Sequence, residues 1–345
     1  MADSLPNTQR AWRIVARGVP RDVVKLVTDL PVPKELKAGH VLLKVEAAAL
    51  NPAYKLMKLL PNFMAGRPLT AEFDIAGTIV DGNGAEWSAG DAVFGINMSG
   101  SGALAEYVSM PGDCLIRRPP NMTAVEASGI ACCALTAYFS LFEVAKLKEG
   151  QTLFINGGST AVGSFATQFA KARGIRVVVT ASGRNEEYVK KMGADEFIDY
   201  TKGDVVEYLM KNPPATKFDA ILEAVGVVED SLYANSEAYL TPEGVFMSMG
   251  PLPSKLGEIP QLGKLIFHLV WPKWLGGIKR RWTLVFGDEA GRLLKLVEPL
   301  FAAGTAKPLV DSVYSFENAL DAYDRLMTHR ATGKVVVKVD PNVSE

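Results

Sequence analysis

The chain has 345 residues, a length that predicts about two domains. Hydrophobic residues make up 48% of it and charged residues 22%, which is typical of a globular protein and excludes extensive disorder. A net charge of −1 provides no basic field for nucleic acid. The polar N-terminus, the lack of an 18-residue apolar run and the sparse cysteines predict a cytoplasmic protein without a disulfide framework.

Short strand-like runs, separated by Gly, Asn and Asp, fill the first third of the chain. Residues 41–45 and 75–80 are examples, and the glycine-rich stretches 81–84 and 99–103 follow such runs. Close spacing of strands and turn residues predicts a compact barrel-like β domain.

Helix-like and strand-like stretches alternate after residue 126. Residues 152–156 and 175–180 are apolar and strand-like, and residues 162–173 between them carry apolar side chains at helical spacing. This alternation predicts a parallel sheet with crossover helices.

A glycine-rich turn joins the first of these strands to the helix. Glycines permit a tight turn and a close approach of backbone amides to a phosphate, and the helix N-terminus favours the anion. The spacing departs from the strict dinucleotide motif, and a turn without a ligand is the alternative. The predicted cofactor-binding residues here are Gly157, Gly158, Ser159, Thr160, Ala161, Val162 and Gly163.

The residues after the second strand indicate which dinucleotide binds. NAD-binding proteins usually place Asp or Glu there, but this chain has Ser182, Arg184 and Asn185. A hydroxyl and a planar cation suit a 2′-phosphate, so we predict NADP(H) as the cofactor. A solvated surface charge is the alternative role for Arg184.

An aromatic-rich stretch occupies residues 251–290, and we predict that it is an insertion or lid. Residues 262–281 mix apolar and basic side chains, which is typical of a segment lying at a membrane surface. Pro272 and several glycines argue against one continuous helix, so a lid or dimer surface is favoured over membrane contact. Further on, residues 317–327 are helix-like, and we expect residues 335–339 to pair with the first domain as a strand.

Several motifs together resemble those of one enzyme group. They are Asn51-Pro52, Asp74-Ile75-Ala76-Gly77, Gly90-Asp91-Ala92-Val93-Phe94-Gly95, Gly102-Ala103-Leu104-Ala105-Glu106-Tyr107, Leu135-Thr136-Ala137-Tyr138, the glycine turn, Met192-Gly193-Ala194-Asp195 with Ile198-Asp199-Tyr200, and Gly333-Lys334-Val335-Val336-Val337. In this order they resemble the zinc-independent, quinone oxidoreductase-like group of the medium-chain dehydrogenase/reductase superfamily. The resemblance covers nearly the whole chain.

The resemblance implies an α/β fold in which a GroES-like β-barrel catalytic domain accompanies a Rossmann domain. Residues 1–126 and 305–345 would form the catalytic domain, and residues 127–304 would form the Rossmann domain. Two copies of the chain would form a homodimer. It also implies hydride transfer from NADPH. Residues that resemble further cofactor contacts are Thr136 and Val225 with Gly226 on the nicotinamide side, and Ser182, Arg184, Tyr200 and Lys334 on the 2′-phosphate.

Zinc ligands are missing from the positions where zinc-dependent relatives carry them. Asn51 and residues 72–74 stand there, and the three histidines His40, His268 and His329 are far apart. We therefore predict no metal. Without this Lewis acid, an already electrophilic acceptor such as a quinone is favoured over a simple carbonyl.

Tyr54 is the predicted hydrogen-bond donor to the reduced oxygen, and a tyrosine that only lines the pocket is the alternative. Asn51 is predicted to orient the cofactor or the acceptor. The apolar substrate is predicted to contact Met57, Phe94, Met98, Trp271 and Phe286. The first alternative is an enoyl or 2-alkenal double-bond reductase. The second is a non-catalytic NADPH-binding protein, which would bind the cofactor without oxidising it.

Overall fold

The computed structural model describes residues 5–98, 102–251, 253, 256–285 and 289–345. It divides into two compact units. Unit 1 comprises Met1–Cys133, Glu289–Gly304 and Pro308–Glu345, and unit 2 comprises Ala134–Asp288 and Thr305–Lys307.

The N-terminal part of unit 1 is mostly β. Its strands are β1 (Thr8–Ile14), β2 (Val24–Pro31), β3 (His40–Ala49), β4 (Leu69–Thr70), β5 (Asp74–Asp81), β6 (Ala92–Ile96), β7 (Tyr107–Pro111) and β8 (Leu115–Arg117). Its helices are α1 (Pro20–Val23), α2 (Tyr54–Leu59), α3 (Asn62–Ala65) and α4 (Ala124–Ser128). Alternate side chains of β3, Val41, Leu43 and Val45, lie in the unit's hydrophobic core. The predicted β domain is thus present.

The chain enters unit 2 within α5 (Ala131–Tyr138). The strands are β9 (Thr152–Asn156), β10 (Arg176–Ala181), β11 (Glu196–Asp199), β12 (Phe218–Glu223), β13 (Leu240–Ser248) and β14 (Arg281–Leu284). The helices are α6 (Ala161–Ala172), α7 (Glu186–Lys191), α8 (Val205–Lys211), α9 (Ser231–Ala234) and α10 (Ile259–Val270). The strands pair in parallel in the order β11-β10-β9-β12-β13-β14, the order of a dinucleotide-binding sheet.

Helix α6 forms where the apolar spacing predicted it. The Thr160 hydroxyl caps its N-terminus by accepting a hydrogen bond from the Gly163 amide at 3.0 Å. Phe165, Phe169 and the alanine that follows each of them are buried, so one face of the helix packs into the unit.

The aromatic-rich stretch is not the insertion or lid that the sequence suggested. Strand β14 pairs in parallel with β13, and α10 is part of the crossover between them. Leu265 of α10 lies in the hydrophobic core of unit 2. The 12 residues of α10 form one helix, which ends before Pro272. The segment therefore completes the sheet.

The rest of unit 1 follows at the C-terminal end of the sequence. Its elements are α11 (Ala290–Ala302), β15 (Val310–Ser315), α12 (Ala319–Met327) and β16 (Lys334–Lys338). Strand β16 pairs antiparallel with β3, as predicted, and parallel with β15. The predicted boundary at residue 304 places α11 in the wrong unit, because Phe301 packs edge-on against Phe94 of β6.

Unit 1 contains two sheets. In the larger sheet the strand order is β15-β16-β3-β5-β6-β8, and β7 also pairs with β3. In the smaller sheet the strand order is β2-β1-β4. Within the described ranges, no helix is both long enough and apolar enough to cross a lipid bilayer.

Candidate functional site

The glycine turn of unit 2 has a backbone that larger residues would disturb. Gly157 has a φ of +95°, and a Cβ added there would lie 2.6 Å from Cγ2 of Val225. A Cβ on Gly163 would lie 2.2 Å from the carbonyl oxygen of Gly157. Gly157 is therefore needed for the packing of the turn against Val225, and Gly163 for the packing of α6 against the turn.

The turn leaves a row of donors for a ligand. The Gly157 and Gly158 amides donate to the side-chain and carbonyl oxygens of Thr180. By contrast, the amides of Ser159, Ala161 and Val162 donate to no atom of the described part of the chain. Open amides at the N-terminus of a 12-residue helix suit a phosphate, so this turn fits the pyrophosphate of a dinucleotide.

The predicted 2′-phosphate residues follow neighbouring strands. Ser182 directly follows β10 and is nearly buried, and Arg184, two residues later, is exposed. Tyr200 directly follows β11 and is half-exposed. Sequence reasoning missed Asp199, whose Oδ1 accepts hydrogen bonds from the amides of Gly183 and Thr201 at 3.0 Å each. The Thr201 hydroxyl, which also donates to Oδ1, lowers the pKa of Asp199 most, and the two amides add to this effect. Its carboxylate thereby fixes the 183–185 turn that carries Arg184.

A groove of about 320 Å³ in unit 2 lies along the carboxyl ends of the parallel strands. Its wall includes Asn156 at the end of β9, Glu223 at the end of β12, Ser248 at the end of β13, and Tyr200. Ligands of such sheets bind at this edge.

The predicted nicotinamide-side residues also lie in unit 2. The Glu223 carboxylate accepts the amides of Val225 at 2.9 Å and Gly226 at 3.1 Å, which fixes this loop. Gly226 has a φ of +74°, a conformation that favours glycine. Thr136 is half-buried in α5, and Asn185 lies in the short helical turn that precedes α7.

Unit 1 contains an apolar pocket of about 260 Å³. Met57 and Met98, two predicted substrate contacts, lie on its wall. The predicted contact at Phe94 is wrong, because this ring is fully buried in the core of unit 1. Trp271 lies in unit 2, where it packs on Phe267, and Phe286 lies outside the described residues.

Glu72 is the acidic residue of the pocket wall, and sequence reasoning missed it. Its Oε1 accepts the Tyr323 hydroxyl at 2.6 Å, and its Oε2 accepts the Asn51 amide at 2.9 Å. Burial raises the pKa of Glu72 to about 7, although these hydrogen bonds and Lys334 oppose the increase. Glu72 can therefore hold or release a proton near neutral pH.

The backbone of Glu72 is also unusual, with a φ of +61°. A non-glycine residue in this region costs free energy and often marks a functional position. An acid two residues before the buried strand β5 was the available signal in the sequence.

A buried ion pair lies next to Glu72. The Lys334 ammonium is 2.8 Å from Oδ2 of Asp74 and 2.8 Å from Oδ1 of Asn51, and the Lys334 and Asp74 side chains are 5% and 0% exposed. Burial lowers the pKa of Lys334, but the Asp74 carboxylate outweighs this effect and the pKa is raised. The predicted role of Lys334 on the cofactor phosphate is therefore wrong, because its charge is already neutralised inside unit 1.

The structure argues against the role predicted for Tyr54. Tyr54 is 2% exposed, its hydroxyl lies 3.3 Å from Nε2 of His329, and it is not part of the pocket wall. Burial raises the pKa of this hydroxyl, which makes it a weaker acid. Asn51 forms hydrogen bonds with Lys334 and Glu72 inside unit 1, and its predicted role in orienting the reactants stays a prediction.

No group of three or more His, Cys, Asp or Glu within the described ranges is placed to hold a metal ion. The absence of zinc from this site remains a prediction from the sequence.

Comparisons with known proteins agree with this architecture. Residues 37–120 match the family described as alcohol dehydrogenase GroES-like domain, and residues 192–337 match the family described as zinc-binding dehydrogenase. The solved structure of the quinone oxidoreductase from Coxiella burnetii superposes with a TM-score of 0.77 at 26% identity, covering 96% of this chain and 99% of that one. The predicted GroES-like and Rossmann α/β fold is confirmed.

Two curated relatives match nearly the whole chain. The trans-enoyl reductase pgmF of Aspergillus terreus is 34% identical, with 99% of each chain covered. The trans-enoyl reductase poxH of Penicillium oxalicum is 31% identical, with 97% of this chain and 99% of that protein covered.

Proposed function

Because the chain belongs to the medium-chain dehydrogenase/reductase superfamily, we propose that it is an NADPH-dependent reductase of activated carbon–carbon double bonds. Membership makes it an oxidoreductase that uses a nicotinamide cofactor and acts on a small molecule, so a non-catalytic binding role is not retained. The observation that carries the choice of reaction is Glu72, an acid of pKa about 7 on the wall of an apolar pocket.

The residues of unit 2 support NADPH as the hydride source. The open amides of Ser159, Ala161 and Val162 would hold the pyrophosphate, and Arg184 with Ser182 would bind the 2′-phosphate. Bound NADPH would supply the hydride. The Asp199 and Glu223 carboxylates hold the two loops in place for this binding.

The residues of unit 1 support a reaction that needs a proton at carbon. Hydride addition to the β-carbon of an enone or enoyl thioester moves the double-bond electrons toward the carbonyl, and the α-carbon then takes a proton. We assign this proton to the Glu72 carboxyl, which water can reprotonate. Tyr323 and Asn51 hold Glu72 in place through hydrogen bonds to both of its oxygens.

Quinone reduction is the second candidate, and the sequence had placed it first. It is supported by the apolar pocket wall and by the likeness to the Coxiella burnetii enzyme, whose name states that activity. We rank double-bond reduction above quinone reduction because the two relatives named above are trans-enoyl reductases. In addition, Glu72 provides an acid at the pocket wall.

Glu72→Gln separates the two reactions. The variant keeps the size and hydrogen-bonding ability of the side chain but removes the transferable proton. We expect kcat for an enone or enoyl thioester to fall about a hundredfold, because general acids contribute on that order. The product of a quinone is protonated on oxygen by water, so its rate should change little. Equal losses on both acceptors would contradict the role of Glu72, and activity on quinones alone would reject double-bond reduction.

A further inference from the structure

The α10 helix of unit 2 is apolar on two sides. Leu265 is buried against the sheet, as described above. On the opposite side Ile259, Ile266, Phe267 and Val270 are 47–71% exposed. A helix that is apolar on both sides is normally covered on both.

The exposed stripe continues beyond the end of α10. Trp271, Trp274 and Leu275 are 40%, 82% and 49% exposed in the short turn that follows. We call the exposed side chains of this helix and turn the α10 surface. They are Ile259, Ile266, Phe267, Val270, Trp271, Trp274 and Leu275.

The charge within the segment that carries the α10 surface is one-sided. Residues 259–287 contain five lysines and arginines and no Asp or Glu, in a chain whose net charge is −1. Lys264 pairs with the buried Asp230, and Arg280 is buried against the carbonyl of Leu240, so these two cations anchor the segment. Lys273, Lys279 and Arg281 remain exposed, and Glu237 contacts the segment at the Lys279 amide.

We propose that the α10 surface docks on a membrane that carries anionic phospholipids. Exposed tryptophan and aliphatic side chains insert among lipid headgroups, and flanking lysines and arginines are attracted to anionic ones. A second copy of the chain fits the surface less well, because self-association would bring one basic rim against another. This docking is independent of the proposed reaction.

Vesicle co-sedimentation tests the proposal. The full-length protein should pellet with vesicles of phosphatidylcholine mixed with phosphatidylserine and remain in solution with phosphatidylcholine alone. Trp274→Ser should lower the partition coefficient by about tenfold, because it removes a large inserting side chain. Lys273→Gln and Lys279→Gln should each lower it about fivefold, and added salt should act in the same direction.

Matched controls lie in unit 1. Phe63 is 85% exposed, so Phe63→Ser removes an equally accessible aromatic ring elsewhere, and Lys25→Gln removes an exposed charge. Both should leave the partition coefficient unchanged, and all variants should retain wild-type NADPH affinity and circular dichroism.

Three results would overturn the proposal. The first is an absence of binding to the anionic vesicles. The second is equal loss of binding in the Phe63→Ser and Trp274→Ser variants. The third is a dimer, detected by light scattering without lipid, that Trp274→Ser dissociates, since a second copy would then cover the surface.

Discussion

The two units hold their polar groups in opposite ways. In unit 1, Lys334, Asp74, Asn51 and Glu72 are buried and bonded to one another. In unit 2, the backbone amides of Ser159, Ala161 and Val162 at the start of α6 have no hydrogen-bond acceptor among the described residues. The buried cluster holds its side chains through bonds to one another, whereas open amides at a helix N-terminus are available to an anion.

This difference assigns the roles of the two units. The cluster of unit 1 is rigid because each charge has a partner, and its contribution is to hold Glu72 at the pocket wall. The turn of unit 2 is incomplete by itself and would be completed by an anion. Binding and proton transfer can therefore be tested separately in each unit.

Removing the buried cation should have the largest effect. Lys334→Met leaves the Asp74 carboxylate buried without its counter-charge, so we expect a loss of about 3–5 kcal/mol in the free energy of unfolding. Urea denaturation measures it. Lys338→Met, on the same strand, removes a lysine whose ammonium lies 3.8 Å from Glu345 and should cost little. Similar losses in the two variants would show that the Lys334–Asp74 pair is not what holds the cluster.

Glu72 should give stability a characteristic dependence on pH. Its pKa is 4.5 ordinarily and about 7 in the folded chain, so the folded state holds the proton more tightly. This stabilisation is complete below pH 4.5 and is lost as pH rises to about 7, a change of up to about 3 kcal/mol. Relative to wild type, Glu72→Gln should therefore gain stability across this interval.

Glu243→Gln is the matched control, since Glu243 is exposed. The stability difference between this variant and wild type should stay flat over the same pH interval. If the Glu72→Gln curve were parallel to the wild-type curve, Glu72 would be ionised normally and could not serve as the proton donor.

The glycine turn should show a smaller, purely local effect. Gly163→Ala places a methyl group 2.2 Å from the Gly157 carbonyl oxygen and displaces the turn, so NADPH affinity should fall by at least about tenfold. Fluorescence titration measures the affinity. Gly263→Ala adds a methyl where no atom lies within 4 Å, and should bind NADPH as wild type does. An unchanged affinity in Gly163→Ala would remove this turn from the cofactor site.

The sequence predicted the parts of the molecule that depend on local pattern. Residue spacing and glycine placement predicted the strand, turn and helix at 152–172. The pattern of residues 335–339 predicted the strand that pairs with β3. Residues 259–284 were misassigned because Pro272, Trp and Gly obscured a crossover helix followed by a strand.

The proton site was not predictable in the same way. Glu72 is brought to Tyr323, 251 residues later in the chain, and Asn51 to Lys334, 283 residues later. No periodic pattern connects such positions. Tyr54 and Phe94 were chosen for their chemical type, and their burial was decided by packing.

NADPH oxidation by the wild-type enzyme with an enoyl thioester, a 2-alkenal and a quinone, repeated with NADH, tests the proposed reduction of double bonds. We predict turnover of the double-bond acceptors, with the saturated product identified by mass spectrometry, and a higher kcat/KM with NADPH than with NADH. Turnover of the quinone alone, or no oxidation of either cofactor with any acceptor, would contradict the account.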